Sequence, residues 1–131
     1  MEPITHVVAS VALARCGFEK TTRLAMPMIV TAGLAADLDW IARFAGPRAF
    51  LAAHHTATHS LLGTMAIAAI VAVIFIPIGK RFKRPVLFLP AFLACLAGAS
   101  LHLLLDLTNS YGVKLLWPFS GKWIALDLAT P

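Results

Sequence analysis

Residues 60–79 read SLLGTMAIAAIVAVIFIPIG, a stretch without a charge and rich in Ala, Ile and Val. At 1.5 Å of rise per residue, about 20 helical residues cross the hydrocarbon core of a bilayer, which is the length of this run. The basic cluster Lys80-Arg81-Phe82-Lys83-Arg84 stops it. A second apolar stretch opens at Pro85, a residue suited to the first position of a helix. It runs to about Leu107, and its ionisable residues, His102 and Asp106, lie near its far end. The two stretches predict a pair of membrane-spanning helices joined by a basic turn.

Composition agrees. Of 131 residues, 60% are hydrophobic and 13% charged, with a mean hydropathy of +0.83. Soluble chains are about half apolar and about a quarter charged, so the balance argues against a soluble enzyme and more strongly against a disordered or nucleic-acid-coating chain. The net charge of +5 does not point to nucleic acid, because the Lys and Arg residues sit in short clusters between apolar runs, as membrane proteins carry them. The length fits one domain over residues 1–131. Cys16 and Cys95 lie in separate apolar stretches without CxxC spacing and read as packing residues. The start, Met1-Glu2-Pro3-Ile4-Thr5-His6, is acidic where a cleavable signal would be basic, so none is expected.

Ahead of the long run, Ile4–Ala14 and Leu24–Ala36 are apolar, the second ending in Asp37-Leu38-Asp39-Trp40. Runs of 10–14 residues suit buried or re-entrant helices, and these predict two shorter helices packed on the two long ones. Residues 43–53 read as a loop or interfacial helix. Beyond Asn109, Tyr111, Trp117-Pro118-Phe119 and Trp123 suit the membrane interface. Ala68 with Ala72 and Ala94 with Gly98 are small pairs at helical spacing that let helices approach. The fold class is therefore all-α, an integral membrane bundle of about four helices.

Chemistry concentrates in a few residues. Among six acidic residues, Asp37, Asp39 and Asp106 border or lie inside apolar stretches, and all five histidines do so too. Ionisable groups at membrane depth are costly and read as functional by default. His102 and Asp106 stand four apart and share a helix face, as do His55 and His59; such pairs can grip one metal ion. Asp37 and Asp39, two apart, converge only if the helix ends there. With antiparallel helices at 4–15, 24–39, 59–79 and 85–107, His6, Asp37, Asp39, His59, His102 and Asp106 all fall at one end of the bundle. The basic turns 15–23 and 80–84 fall at the other. A convergent set of imidazoles and carboxylates without thiolate is a zinc-like or manganese-like donor set, with room for one or two ions.

The blocks Ile4-Thr5-His6, Leu34-Ala35-Ala36-Asp37-Leu38-Asp39, His54-His55-Thr56-Ala57-Thr58-His59-Ser60-Leu61-Leu62, His102-Leu103-Leu104-Leu105-Asp106 and Asn109-Ser110-Tyr111-Gly112-Val113 resemble the YdjM-like membrane-bound metal-dependent hydrolases of bacteria, in the family's order. The resemblance continues through Leu115-Leu116-Trp117-Pro118-Phe119-Ser120. It implies His54 and His59 as the two histidines of an HR-x-x-THS motif, with His6, the Asp pair, His102 and Asp106 as further metal-site residues. His55 stands where the family has arginine, and Ala36 where it has proline before the Asp pair. Spacing favours His55 as the partner of His59, whereas the motif favours His54. Asp127 resembles a family aspartate, and the family continues beyond the point matched by residue 131. A fainter resemblance, in the order His, Asp, His, His-x3-Asp, is to the zinc-dependent phospholipase C and P1-nuclease superfamily, which implies phosphoester hydrolysis.

The expectation is thus a multi-pass inner-membrane protein acting as a metal-dependent hydrolase on an ester or phosphoester of a lipid-like substrate. Metal ligands are sought among His59, His102 and Asp106, then Asp39, Asp37, His54 and His6. The ion is zinc, or secondly manganese, and a spare carboxylate, Asp39 or Asp37, serves as general base. Thr58, Ser60 and Asn109 are candidates to support the ligands from behind or to touch substrate, Ser60 alternatively capping the third helix. Seven Lys/Arg in the basic turns (Arg15, Lys20, Arg23, Lys80, Arg81, Lys83, Arg84) against four opposite (Arg43, Arg48, Lys114, Lys122) place the site on the non-cytoplasmic face. The rival is a non-catalytic metal-binding scaffold or ion-pathway protein. A transporter would carry its polar residues near mid-membrane and show repeats; neither feature is evident here.

Overall fold

A computed structural model describes residues 3–48, 56–110 and 112–128, and among these described residues four long α-helices carry the fold. They are α1 (Pro3–Arg15), α2 (Ala25–Ala35), α3 (Leu61–Arg81) and α4 (Phe88–Leu107). Pro3, Pro27 and Pro90 each stand in the first turn of a helix, where the missing N–H removes no intrahelical bond. Pro77 lies inside α3, a position that membrane helices tolerate. A 3-10 turn, Phe18–Lys20, joins α1 to α2, and a longer 3-10 segment, Ala36–Ala45, continues directly from α2.

The 21 residues of α3 and the 20 of α4 are long and apolar enough to cross a membrane. With 13 and 11 residues, α1 and α2 reach only about 20 Å and about 17 Å, so they pack against the spans. Helix α4 lies against both α2 and α3, and α2 also carries α1. The seam is lined by Met28, Ala32, Ala68, Ala72, Phe75, Ala91, Cys95 and Ala99. At Gly98 an added Cβ would run into the Ile29 carbonyl, so only glycine lets α2 and α4 come this close. The small residues expected to mediate close approach (Ala68, Ala72, Ala94, Gly98) are all buried. Ile70, Val73 and Ile74 on α3, with Leu89, Leu93 and Leu104 on α4, point outward, an apolar exterior that suits lipid.

Three boundaries differ from expectation. The second helix stops at Ala35 rather than at residue 39, because the chain tightens into the 3-10 winding common at helix ends. Of the loop or interfacial helix read over residues 43–53, residues 43–45 belong to that 3-10 segment and 47–48 are helical, while 49–53 lie outside the described residues. The third helix begins at Leu61, with Ser60 as its cap and His59 just outside it. The fourth begins at Phe88, not Pro85: Lys83 turns the chain with φ 53°, and the Arg84 N–H donates to the Gly79 carbonyl at 2.8 Å. Val86 then packs into the notch left by Gly79. Thr21 and Thr22 border one small cleft with Pro85, Val86 and Leu87, so the two basic turns do share one end of the bundle.

At the other end the C-terminal segment forms a strap. Val113 and Ile124 exchange backbone hydrogen bonds of 2.9 and 3.0 Å, a single antiparallel bridge, and no strand occurs among the described residues. The Leu126 N–H donates to the Leu107 carbonyl at 2.7 Å and the Leu61 N–H to the Leu115 carbonyl at 3.0 Å. The strap thereby ties the end of α4 to the start of α3.

Candidate metal centre

Local structure aims each side chain. Ser60 accepts a hydrogen bond from the Gly63 N–H at 3.0 Å and donates to the Ala57 carbonyl at 2.8 Å. This cap fixes the turn that presents His59 at the mouth of α3. On α4, His102 and Asp106 stand one turn apart on the buried face. On α1, His6 shares the buried face with Ser10 and Ala14, at i, i+4 and i+8. Asp37 and Asp39 come from the 3-10 segment, whose three residues per turn send residues two apart to different sides.

They meet at one point. His59 Nε2 and His102 Nε2 are 3.1 Å apart, and each is 3.1 Å from Asp106 Oδ2. Asp37 Oδ1 lies 3.7 Å from His102 Nε2. One donor atom from each of Asp37, His59, His102 and Asp106 falls within 4.8 Å of all the others. His59, His102 and Asp106 are almost wholly buried, whereas the Asp37 side chain keeps 18% of its exposure.

The group fits a metal ion. A tetrahedral ion with bonds of about 2.0–2.1 Å holds neighbouring donors about 3.3 Å apart; the three spacings among His59, His102 and Asp106 are 3.1 Å, that from Asp37 to His102 is 3.7 Å, and every pair of the four lies within 4.8 Å. Donors are nitrogen and oxygen only, as a divalent first-row ion accepts. Charge argues the same way, since the buried carboxylate of Asp106, with the partly exposed Asp37 in the same group, calls for compensation, which a dication would supply. Asp37 Oδ2 and His102 Nδ1 are buried with no hydrogen-bond partner among the described residues.

Two residues flank the centre. The rings of His6 and His102 stack with centroids 3.8 Å apart, and His6 Nε2 is 3.4 Å from Asp106 Oδ1, the oxygen turned away from His59. Asp39 sits behind His59: its Oδ2 is 3.4 Å from His59 Nδ1, the nitrogen facing away from the centre. Thr58 Oγ1 lies between them, 3.2 Å from Asp39 Oδ2 and 2.9 Å from His59 Nδ1. Burial disfavours the charged imidazole of His59, but hydrogen bonds and charge from Asp106 and Asp39 outweigh it and raise its pKa to about 9.

The bundle therefore brings together His6, Asp37, Asp39, His59, His102 and Asp106. His54, His55 and Tyr111 lie outside the described residues, and with them the choice between the adjacent histidines. Asp127 sits on the exposed strap at φ 49°, and the convergent donor group does not include it. Ser60 is the helix cap. Thr58, read as a support for the ligands or a substrate contact, bridges His59 and Asp39; the adjacency Thr58-His59 was visible in the sequence, but the contact to Asp39, 19 residues away, was not.

Comparison with known proteins agrees with this architecture. The family model described as YdjM inner membrane protein matches residues 1–130, and the chain belongs to that family. A Bacillus subtilis (strain 168) protein described as the uncharacterized protein YfhP is 29% identical over 136 aligned residues, covering 98% of this chain. The chain spans 40% of that relative's length. No solved structure matches.

Proposed function

From membership of an inner-membrane family and a four-donor His/Asp centre, we propose that this chain is a membrane-bound metal-dependent hydrolase. Its substrate is an ester or phosphoester of a lipid-like molecule. The observation that carries the reading is the convergence of Asp37, His59, His102 and Asp106 from three separate segments onto one point. Zinc is the first choice of ion and manganese the second. His59, His102 and Asp106 would hold a divalent ion there, and its chemistry when bound would be Lewis acidity toward water and the scissile carbonyl or phosphoryl group.

The residues divide the remaining work. His59, His102 and Asp106, buried and mutually braced, hold the ion. Asp37 is the most exposed of the four donors and has a second oxygen without a hydrogen-bond partner among the described residues. It is placed to accept a proton as general base. The 3-10 segment carrying it bears Leu38, Ile41 and Phe44, three apart and all exposed, an apolar stripe beside the site on which acyl chains can rest. Trp117, Phe119 and Trp123 are exposed on the strap at the same end of the bundle, which suits the headgroup level. The excess of Lys and Arg at the opposite end turns this face outward from the cytoplasm.

The test is metal analysis of the purified protein combined with a panel of phosphodiester and lipid-ester substrates. Metal with turnover, both lost in Asp106→Ala, is the expected result. Metal without turnover of any substrate would leave a binding scaffold, and absence of metal would overturn the reading altogether.

A further inference from the structure

We infer that Asp39 is a positioning residue, which acts through Thr58 to fix the tautomer of His59. The inference rests on the metal-site reading above. An ionised carboxylate only accepts hydrogen bonds, so the contact of 3.2 Å between Thr58 Oγ1 and Asp39 Oδ2 is a hydrogen bond donated by the hydroxyl. A hydroxyl has a single proton to give. Once it points at Asp39, Thr58 Oγ1 can meet His59 Nδ1, at 2.9 Å, only as an acceptor. His59 therefore carries a proton on Nδ1 and offers Nε2, the nitrogen 3.1 Å from both His102 Nε2 and Asp106 Oδ2, as the ligand atom.

The direction of the chain is set at Asp39 and read out at the centre. Metal-ligating imidazoles are commonly oriented in this manner by a group on the far nitrogen, and loss of such a group costs 10–100-fold in affinity. Three observations separate Asp39 from Asp37. Asp39 faces the wrong nitrogen of His59 for a shared ion, it is absent from the convergent donor group, and its side chain is only 4% exposed where Asp37 keeps 18%. One carboxylate of the pair thus serves the centre directly, and the other serves it through His59.

Affinity for Zn²⁺ in detergent, measured against a chelator, tests this together with the Co²⁺ absorption spectrum of wild type, Thr58→Val, Thr58→Ser and Asp39→Asn. Thr58→Val and Asp39→Asn are expected to bind 10–100-fold more weakly, with stoichiometry and the tetrahedral Co²⁺ bands unchanged. Thr58→Ser, which keeps the hydroxyl, is expected to restore wild-type affinity. Equal affinity in wild type and Thr58→Val would overturn the relay while leaving the metal centre standing. So would altered Co²⁺ bands in Asp39→Asn, which would make Asp39 a ligand. A wild-type protein that takes up neither ion would remove the metal reading and the relay with it.

Discussion

Asp106 faces two ways: Oδ2 lies 3.1 Å from His59 Nε2, while Oδ1 lies 3.4 Å from His6 Nε2. One side chain of α4 thereby joins the mouth of α3 to the start of α1. Helix α1 is too short to span, yet its buried face ends in a histidine stacked on His102. The stack and the Asp106 contact place α1 as a wall of the centre.

That arrangement predicts different outcomes for two changes at His6. His6→Ala removes both the stacked ring and the partner of Asp106 Oδ1, so thermal stability is expected to fall by about 1–3 kcal/mol and metal affinity with it. His6→Phe keeps a flat ring against His102 but cannot meet a carboxylate. It is expected to melt closer to wild type than His6→Ala while still binding metal more weakly. Equal affinity in His6→Phe and wild type would reduce His6 to a packing role.

The donor group predicts metal content. Purified protein is expected to carry a divalent ion at the Asp37/His59/His102/Asp106 centre, and His102→Ala or Asp106→Ala to lower the bound equivalents measured by elemental analysis. Full retention in both variants would refute the assignment.

Protons and metal compete for His59. In the metal-free protein its pKa is raised to about 9 from 6.5, so between these values the folded chain keeps a proton that the unfolded chain has released. This contribution to stability is fully present below about pH 6.5 and is lost as pH rises through about 9. For the ion the sign is opposite, because Nε2 must be bare to coordinate. Apparent Zn²⁺ affinity should therefore increase with pH up to about 9, with protons released on binding. Calorimetry in buffers of different ionisation enthalpy measures that release; a proton count of zero at pH 7 would contradict it.

Much of the centre could be read from the order of residues alone. Antiparallel helices of the lengths seen must put His6, Asp37, His59, His102 and Asp106 at one end, and the structure does so. Less legible was the ending of α2. The run from Leu24 to Ala36 is apolar, and nothing in it signals that winding tightens at Ala36. With that tightening, Asp37 meets His102 and Asp39 passes behind His59. The strap was also invisible as structure: its aromatic residues mark the interface, but the single Val113–Ile124 bridge is too short to leave an alternating pattern.

Packing between α2 and α4 sets the distance from Asp37 to His102. Gly98 touches the backbone of Ile29, so Gly98→Val must push the helices apart. Overpacking of this kind costs about 1–3 kcal/mol, and here it should also weaken metal binding although Gly98 is itself no ligand. Gly121→Ala, where a Cβ meets nothing within 4 Å, is the matched control. Wild-type metal affinity in a folded Gly98→Val protein would show that the 3-10 segment is positioned independently of α2.

The basic turns are expected on the cytoplasmic side and the strap on the other, by the excess of Lys and Arg in the former. Position 121 is a suitable reporter for the strap side, being exposed and free of neighbours around a new Cβ. Gly112 is not, because its φ of +68° and its contact with the Ile124 carbonyl exclude a side chain. Cys16, exposed beside the first basic turn, is a natural reporter for the opposite side, and Cys95 is buried. In intact cells, an impermeant thiol reagent is expected to label Gly121→Cys in a Cys16→Ser background and to leave Cys16 of the wild type unmodified. Labelling of Cys16 with protection of position 121 would invert the protein, and the substrate would then have to be sought among lipids of the inner leaflet.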